Sequence, residues 1–92
     1  MLEKEPETIA VLKALADPMR LEMLARFVSS DRVQSSEIQG GCPRSQPTVS
    51  HHLAKLVEAG LLIEEKQGTQ KSYLLNIPLL ARFGIDLSLI TN

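Results

Sequence analysis

A single cysteine, Cys42, is all that this chain of 92 residues contains, which excludes an internal disulfide framework and fits a reducing cytoplasm. No apolar run approaches the roughly 18 residues of a membrane-spanning helix. The acidic start, Met1-Leu2-Glu3-Lys4-Glu5, lacks the basic and apolar regions of a secretion signal. A surplus of positive charge is missing too: the formal net charge is −1 and the pI lies near 6.1, so no global basic field advertises a polyanionic partner. Two adjacent histidines and scattered carboxylates form no nucleophile-and-base constellation, which leaves an enzyme reading without support. Internal repeats, low-complexity tracts and linkers are absent as well. The expectation is a cytoplasmic protein with no membrane partner, no catalytic site and no cofactor.

What is present suits a small globular protein. Hydrophobic residues make up 43% and charged residues 23%, and 92 residues suffice for one domain with a modest core. Residues 1–92 are therefore expected to form a single domain. Charge is unevenly placed along it. Residues 1–31 hold six acids (Glu3, Glu5, Glu7, Asp17, Glu22, Asp31) against four bases (Lys4, Lys13, Arg20, Arg26). Residues 43–73 reverse the sign slightly, with Arg44, Lys55, Lys66 and Lys71 against Glu58, Glu64 and Glu65. A DNA reader needs a local basic surface of this kind, not a basic total.

The stretch from Ser45 to Gly60 carries the most information. Ser45 can cap the first free N–H groups of a helix, Pro47 fits the first turn, and Gly60 supplies the left-handed residue that follows a helix end. Val49, Leu53, Leu56 and Val57 recur at intervals of three and four and share one face. Thr48, His51 and Lys55 fall on the other side, with Pro47 and Ala54 alongside. Hydroxyl, imidazole and ammonium groups without bulk or acid at the front suit the major groove of DNA.

The other elements arrange themselves around this helix. A first helix is expected from Pro6 or Glu7 to about Ala16, with Ile9, Leu12, Leu15 and Ala16 as its apolar stripe. Asp17 as N-cap and Pro18 as first residue start a second, near 18–30, that turns Leu21, Leu24, Ala25 and Val28 inward. Ser35 or Ser36 can cap a short third helix, which Gly40-Gly41-Cys42-Pro43 must end. Residues 40–44 are then the turn of a helix-turn-helix whose second helix spans 46–59. Beyond Gly60, Leu61–Glu65 and Lys71–Asn76 read as two strands around Lys66-Gln67-Gly68-Thr69-Gln70. Pro78 opens a last helical segment that Gly84 weakens or bends. The fold class is mainly α with a small β-hairpin: a winged helix-turn-helix with about five helices and a two-stranded wing.

These residues resemble a known family. Leu12 to Leu21, LKALADPMRL, is similar to the opening of ArsR/SmtB-type repressors, and Ser45 to Leu53, SQPTVSHHL, matches that family's recognition-helix signature almost letter for letter. Glu58-Ala59-Gly60-Leu61-Leu62, Gly68 and Tyr73 continue in the same order, so the resemblance covers roughly residues 7–77. It implies a homodimeric winged-helix repressor with its first and last helices at the dimer interface and two recognition helices in successive major grooves. The family's metal-site motifs are missing. Val33 to Ile38 has no cysteine, and the last segment offers Asp86 without a histidine.

The expected partner is double-stranded promoter DNA. Gln46, Thr48, Ser50 and His51 are assigned to base edges and Lys55 and Arg44 to phosphates, and Ser45, at the helix start, belongs to the same DNA-binding set. Lys66, Gln67, Thr69, Gln70 and Lys71 make a polar wing tip suited to positioning on the backbone. Ile9, Leu12, Leu79, Leu80, Phe83, Leu87 and Ile90 form the expected dimer interface, with a cap on the subunit's own core as the alternative. Adjacent side chains on a helix point about 100° apart, so His51 and His52 do not converge on one ion, and His52 is read as a hydrogen-bonded structural residue. Cys42 is either a small filler or a thiol activated by Arg44 and the next helix. Two other functions stay open: a winged-helix protein–protein interaction module, and a metal-responsive repressor using His51, His52, Asp86 or Cys42. No residue reveals a small-molecule effector.

Overall fold

The computed structural model describes residues 5–27, 30, 32–41 and 43–90, of which Glu5, Ser88 and Ile90 are described in backbone only. Cys42, with its reading as filler or reactive thiol, and Val28 lie outside the described residues. Among the described residues, six helices and three strands follow one another as α1 (Glu5–Leu15), α2 (Pro18–Ala25), β1 (Arg32–Gln34), α3 (Ser35–Gly40), α4 (Gln46–Glu58), β2 (Leu62–Gln67), β3 (Gln70–Leu75), α5 (Ile77–Arg82) and α6 (Leu87–Ile90). No helix among the described residues is long and apolar enough to cross a membrane.

The start of α2 follows the sequence. The Asp17 carboxylate accepts from the N–H of Met19 at 2.8 Å and of Arg20 at 3.2 Å, and Pro18 takes a position where no donor is needed. Burial pushes the Asp17 pKa up, but the Arg20 and Met19 N–H groups, then the charges of His52 and Arg20, together bring it below the ordinary carboxylate value. A depressed pKa stabilises the fold above the unfolded value of about 4, and that contribution fades as pH falls through the lower folded value. Asp17→Ala is expected to cost about 1 kcal/mol at neutral pH. Urea titrations should show this deficit constant down to about pH 5 and shrinking below pH 4. A deficit independent of pH would leave the carboxylate charge without a role.

Two apolar faces run along α1, and the subunit uses only one. Val11 and Ala14 are buried, whereas Ile9 and Leu12 are 44% and 60% exposed, Leu15 is half-buried and Ala16 is exposed. The expected stripe of Ile9, Leu12, Leu15 and Ala16 is thus not the packing face. Helix α2 buries Met23 and Leu24, leaves Leu21 and Ala25 half-buried, and ends at Ala25, well short of residue 30. Phe27, just beyond it, is core.

The wing is larger than a hairpin. Strand β1 joins the free edge of β3, giving an antiparallel sheet in the order β1-β3-β2 with Val33 opposite Tyr73. Because β1 keeps the backbone extended through Gln34, α3 starts at Ser35, and its flanking residue is Gln34 and not a serine. The Glu37 carboxylate accepts from the Gln34 N–H at 3.3 Å. Strands β2 and β3 pair from Leu62↔Leu75 to Gln67↔Gln70, so Gly68 and Thr69 alone make the turn.

The last segment is two helices, not one bent helix. The Gly84 N–H bonds to the Ala81 carbonyl at 3.1 Å and the Ile85 N–H to Leu80 at 2.9 Å, with Gly84 at φ +66°. That pair of bonds around a left-handed residue closes α5, and α6 begins afresh at Leu87. Leu79, Leu80 and Leu87, assigned above to a dimer face, are 9%, 5% and 5% exposed inside the subunit. They cap its own core. Phe83 is half-buried against that core, and the side chain of Ile90 lies outside the described residues.

Candidate nucleic-acid interface

Helix α4 is anchored on one side and open on the other. Val49, Leu53 and Leu56 are 2%, 3% and 0% exposed, and Val57 is half-buried. Gln46, Pro47, Ser50, His51, Ala54 and Lys55 are exposed. The helix starts as its sequence requires, with the Ser45 hydroxyl accepting from the Thr48 N–H at 3.4 Å. The same hydroxyl lies 2.9 Å from Thr48 Oγ1, so Thr48 is tied to the cap and half-buried. The acid on α4 is Glu58, at its far end.

The two histidines part company. His51 is exposed on the open side, while His52 is half-buried, with the rings edge to face at 5.4 Å. Nδ1 of His52 is buried and has no hydrogen-bond partner among the described residues. The expectation of a hydrogen-bonded structural histidine is not met at that atom. Among the described residues, no three His, Cys, Asp or Glu side chains are grouped to hold a metal ion.

Two further contacts hold the turn before α4. The Arg26 guanidinium donates to the Gly41 carbonyl, and Gln39 Nε2 donates to the Arg44 carbonyl at 2.9 Å. Arg44 itself is exposed. The wing brings Lys66, Gln67, Thr69, Gln70 and Lys71 together, all exposed, with Lys66 directly opposite Lys71. Lys71 lies 4.0 Å from the Glu64 carboxylate. The Tyr73 hydroxyl donates to the same carboxylate at 3.2 Å; burial first, then the Glu64 charge and hydrogen bond, raise its pKa and keep it neutral.

Between α3, α4 and β3 lies a cleft of about 450 Å³. Gln46 and Ser50 form its α4 wall, Thr69 and Lys71 its wing wall, and Ser35, Ser36 and Gln39 its α3 wall, over a floor of Val49, Leu53 and Tyr73. The sequence placed Gln46, Ser50, Thr69 and Lys71 at the site. It did not place the α3 residues there, because β1, which aligns α3 with the wing, is too short to show a pattern. On the outer face of the sheet, Arg32 pairs with Glu65 at 2.6 Å across β3.

Comparison with known proteins agrees with this geometry. A helix-turn-helix domain family matches residues 15–65, more than half of the chain. The arsenical resistance operon repressor of Staphylococcus xylosus is 34% identical over 84 residues, covering 91% of this chain and 80% of that protein. An uncharacterized HTH-type transcriptional regulator of Methanocaldococcus jannaschii is 33% identical over 72 residues, covering 78% and 81%. The solution structure of a homodimeric winged helix-turn-helix DNA-binding domain of Mycobacterium bovis, a possible ArsR-family regulator, superposes with a TM-score of 0.77 at 22% identity, covering 98% and 83%. A family match over more than half of the chain and relatives above 30% identity over most of their length place the fold and its open helix in one class: the chain belongs to the ArsR-type family of winged helix-turn-helix, DNA-binding transcriptional repressors.

Proposed function

We propose that the protein acts in the cytoplasm as a homodimer on an imperfect palindrome in promoter DNA, blocking transcription by laying α4 of each subunit in a major groove. The observation that carries this reading is the set Gln46, Ser50, His51 and Lys55, exposed on α4 outside its buried stripe of Val49, Leu53 and Leu56, with Lys71 of the wing across the cleft from Gln46 and Ser50. Base edges offer matching donors and acceptors, and Lys55, Arg44, Lys66 and Lys71 supply charge for phosphates. Half-sites then lie about one helical turn apart, or a small multiple of it. Dimerisation is supported by the second apolar face of α1, where Ile9 and Leu12 are large apolar side chains that the subunit itself does not cover; Leu89 of α6 is likewise uncovered, at 79% exposure. A homodimeric neighbour with the same fold points the same way.

Titrating the protein against the duplex upstream of its own gene, at two salt concentrations, tests the reading. Tight binding to that duplex, strongly weakened by salt, is expected. Equal and weak binding to random duplex counts against sequence-specific repression. Leu12→Glu should sediment as a monomer and bind the same duplex at least about tenfold more weakly, since half of the contacts are lost.

A further inference from the structure

We propose that Arg26 is a positioning residue for DNA reading, whose guanidinium clamps the Gly41 carbonyl and thereby fixes the start of α4 against the end of α2. This role rests on the repressor reading and concerns what holds its reading helix in place. Arg26 is the residue that closes α2, and Gly41 the residue that closes α3. The guanidinium donates to the Gly41 carbonyl through Nη2, so a positive group sits at the carbonyl end of α3, where it is favoured. Arg26 makes no ion pair among the described residues, and its Nε is buried without a hydrogen-bond partner among them. The bond to Gly41 is what the charged end of this half-buried side chain is placed to make.

Gly41 itself points the same way. Its backbone, at φ −95° and ψ 4°, is open to any residue, so the turn does not call for a glycine here. A Cβ at residue 41 would stand 2.8 Å from Arg26 Cζ and 2.9 Å from Nη2, whereas one at Gly40 would meet nothing within 4 Å. The missing side chain makes room for the guanidinium. Three residues on, Gln39 Nε2 holds the Arg44 carbonyl at 2.9 Å, and Ser45 then caps α4. The turn is thus tied to α2 where it begins and to α3 where it ends. Gln46 and Ser50, at the start of α4, inherit their placement from it.

Arg26→Met keeps the stem as far as the buried Nε and removes the guanidinium. It should lower affinity for the duplex upstream of the gene about tenfold, because losing one charged hydrogen bond leaves fewer subunits with α4 in place. Random duplex, held by charge, should be bound nearly as before, with an unchanged salt slope. Gly41→Ala pushes the guanidinium off the carbonyl and should give the same loss, while the melting temperature stays within a few degrees. The double variant should lose no more than either single one. Arg26→Lys, which keeps a donor, should recover part of the affinity, and Gly40→Ala should bind as wild type. In the free protein, the Thr48 amide should exchange faster in Arg26→Met and Gly41→Ala, with the Leu24 amide unchanged. Wild-type affinity in either variant overturns the proposal, and so do additive losses in the double one. An equal loss on both duplexes, with a slope lower by about one per subunit, would make Arg26 a phosphate contact and overturns it as well. The repressor reading fails on a different result, wild-type protein that binds both duplexes equally, and exchange at Thr48 still tests the clamp in that case.

Discussion

Replacing Thr48, His51 and Lys55 together by alanine is expected to erase the difference between operator and random DNA and to leave the fold intact. His51 and Lys55 are exposed, so removing them takes nothing from the core. Thr48 is half-buried, yet the helix start survives its loss, because the Ser45 hydroxyl still receives the backbone N–H of residue 48. At about 1–3 kcal/mol for each good base contact, losing two of them lowers operator affinity by about thirtyfold or more. The Lys55 component is different in kind. An ammonium near phosphate adds affinity for every sequence, so its loss appears as a shallower salt dependence and not as relaxed specificity. Single replacements separate the two roles, and sedimentation verifies that the dimer is unchanged. Retained operator preference in the triple variant would remove Thr48 and His51 from the reading position and leave it to Gln46 and Ser50.

How much of this was legible in the sequence depends on whether the signal is local. Helix α4 was, because its cap, first-turn proline, core stripe and terminal glycine all lie within sixteen residues and agree with one another. The Asp17-Pro18 start of α2 and the turn at Gly68 were legible for the same reason. Strand β1 was not. Arg32-Val33-Gln34 is too short to display alternation, and what makes it a strand is the open edge of β3, about forty residues away. The α1 stripe went astray because that helix is apolar on two sides, and periodicity cannot tell which side meets the core. Gly84 reads as a weak point, but whether such a glycine bends a helix or ends it is decided by the Ala81 carbonyl that its own N–H satisfies and the Leu80 carbonyl that the Ile85 N–H satisfies.

The site divides along the same line. Pro47, His51, Ala54 and Lys55 are exposed where the helical period puts them, whereas Thr48, expected beside them, is half-buried and tied to the Ser45 cap. Ser35, Ser36 and Gln39 reach the cleft only because β1 joins the sheet and sets α3 against the wing. The side chains assigned to dimerisation divide by burial, which apolarity does not reveal. Leu79, Leu80 and Leu87 close the subunit's core, and Ile9 and Leu12 stay outside it. Hydrophobicity marks what must leave water, and geometry decides which subunit covers it.

A large loss of stability from a single replacement is expected at Gly60, where α4 hands over to the wing. The Gly60 N–H bonds to the Val57 carbonyl at 2.9 Å and the Leu61 N–H to Leu56 at 3.0 Å, the double closure of a helix end around a left-handed residue. Gly60 has φ +85°, and Leu56 and Leu61, both fully buried, pack beside the closure. Its carbonyl receives Asn76 Nδ2 at 2.7 Å, and Asn76 Oδ1 in turn caps α5 through the Leu79 N–H at 3.3 Å. One residue therefore fixes the exit of α4, the entry of β2 and the start of α5. A side chain here meets two penalties. The left-handed backbone costs about 1–2 kcal/mol, and a Cβ would stand 3.0 Å from Leu79 Cδ1, a core methyl with little room to move. Gly60→Ala should lower stability by about 2 kcal/mol, and the branched Gly60→Val by about 3–4. In a domain of this size that is a drop in melting temperature of roughly 10–20 °C. Gly40→Ala is the control, since it lies in α3 with nothing within 4 Å of a new Cβ, and it should be neutral or gain up to about 1 kcal/mol. Equal melting temperatures for Gly60→Val and Gly40→Ala would show that the backbone at residue 60 is not held left-handed, and the angle between the reading helix and the wing would then need another cause.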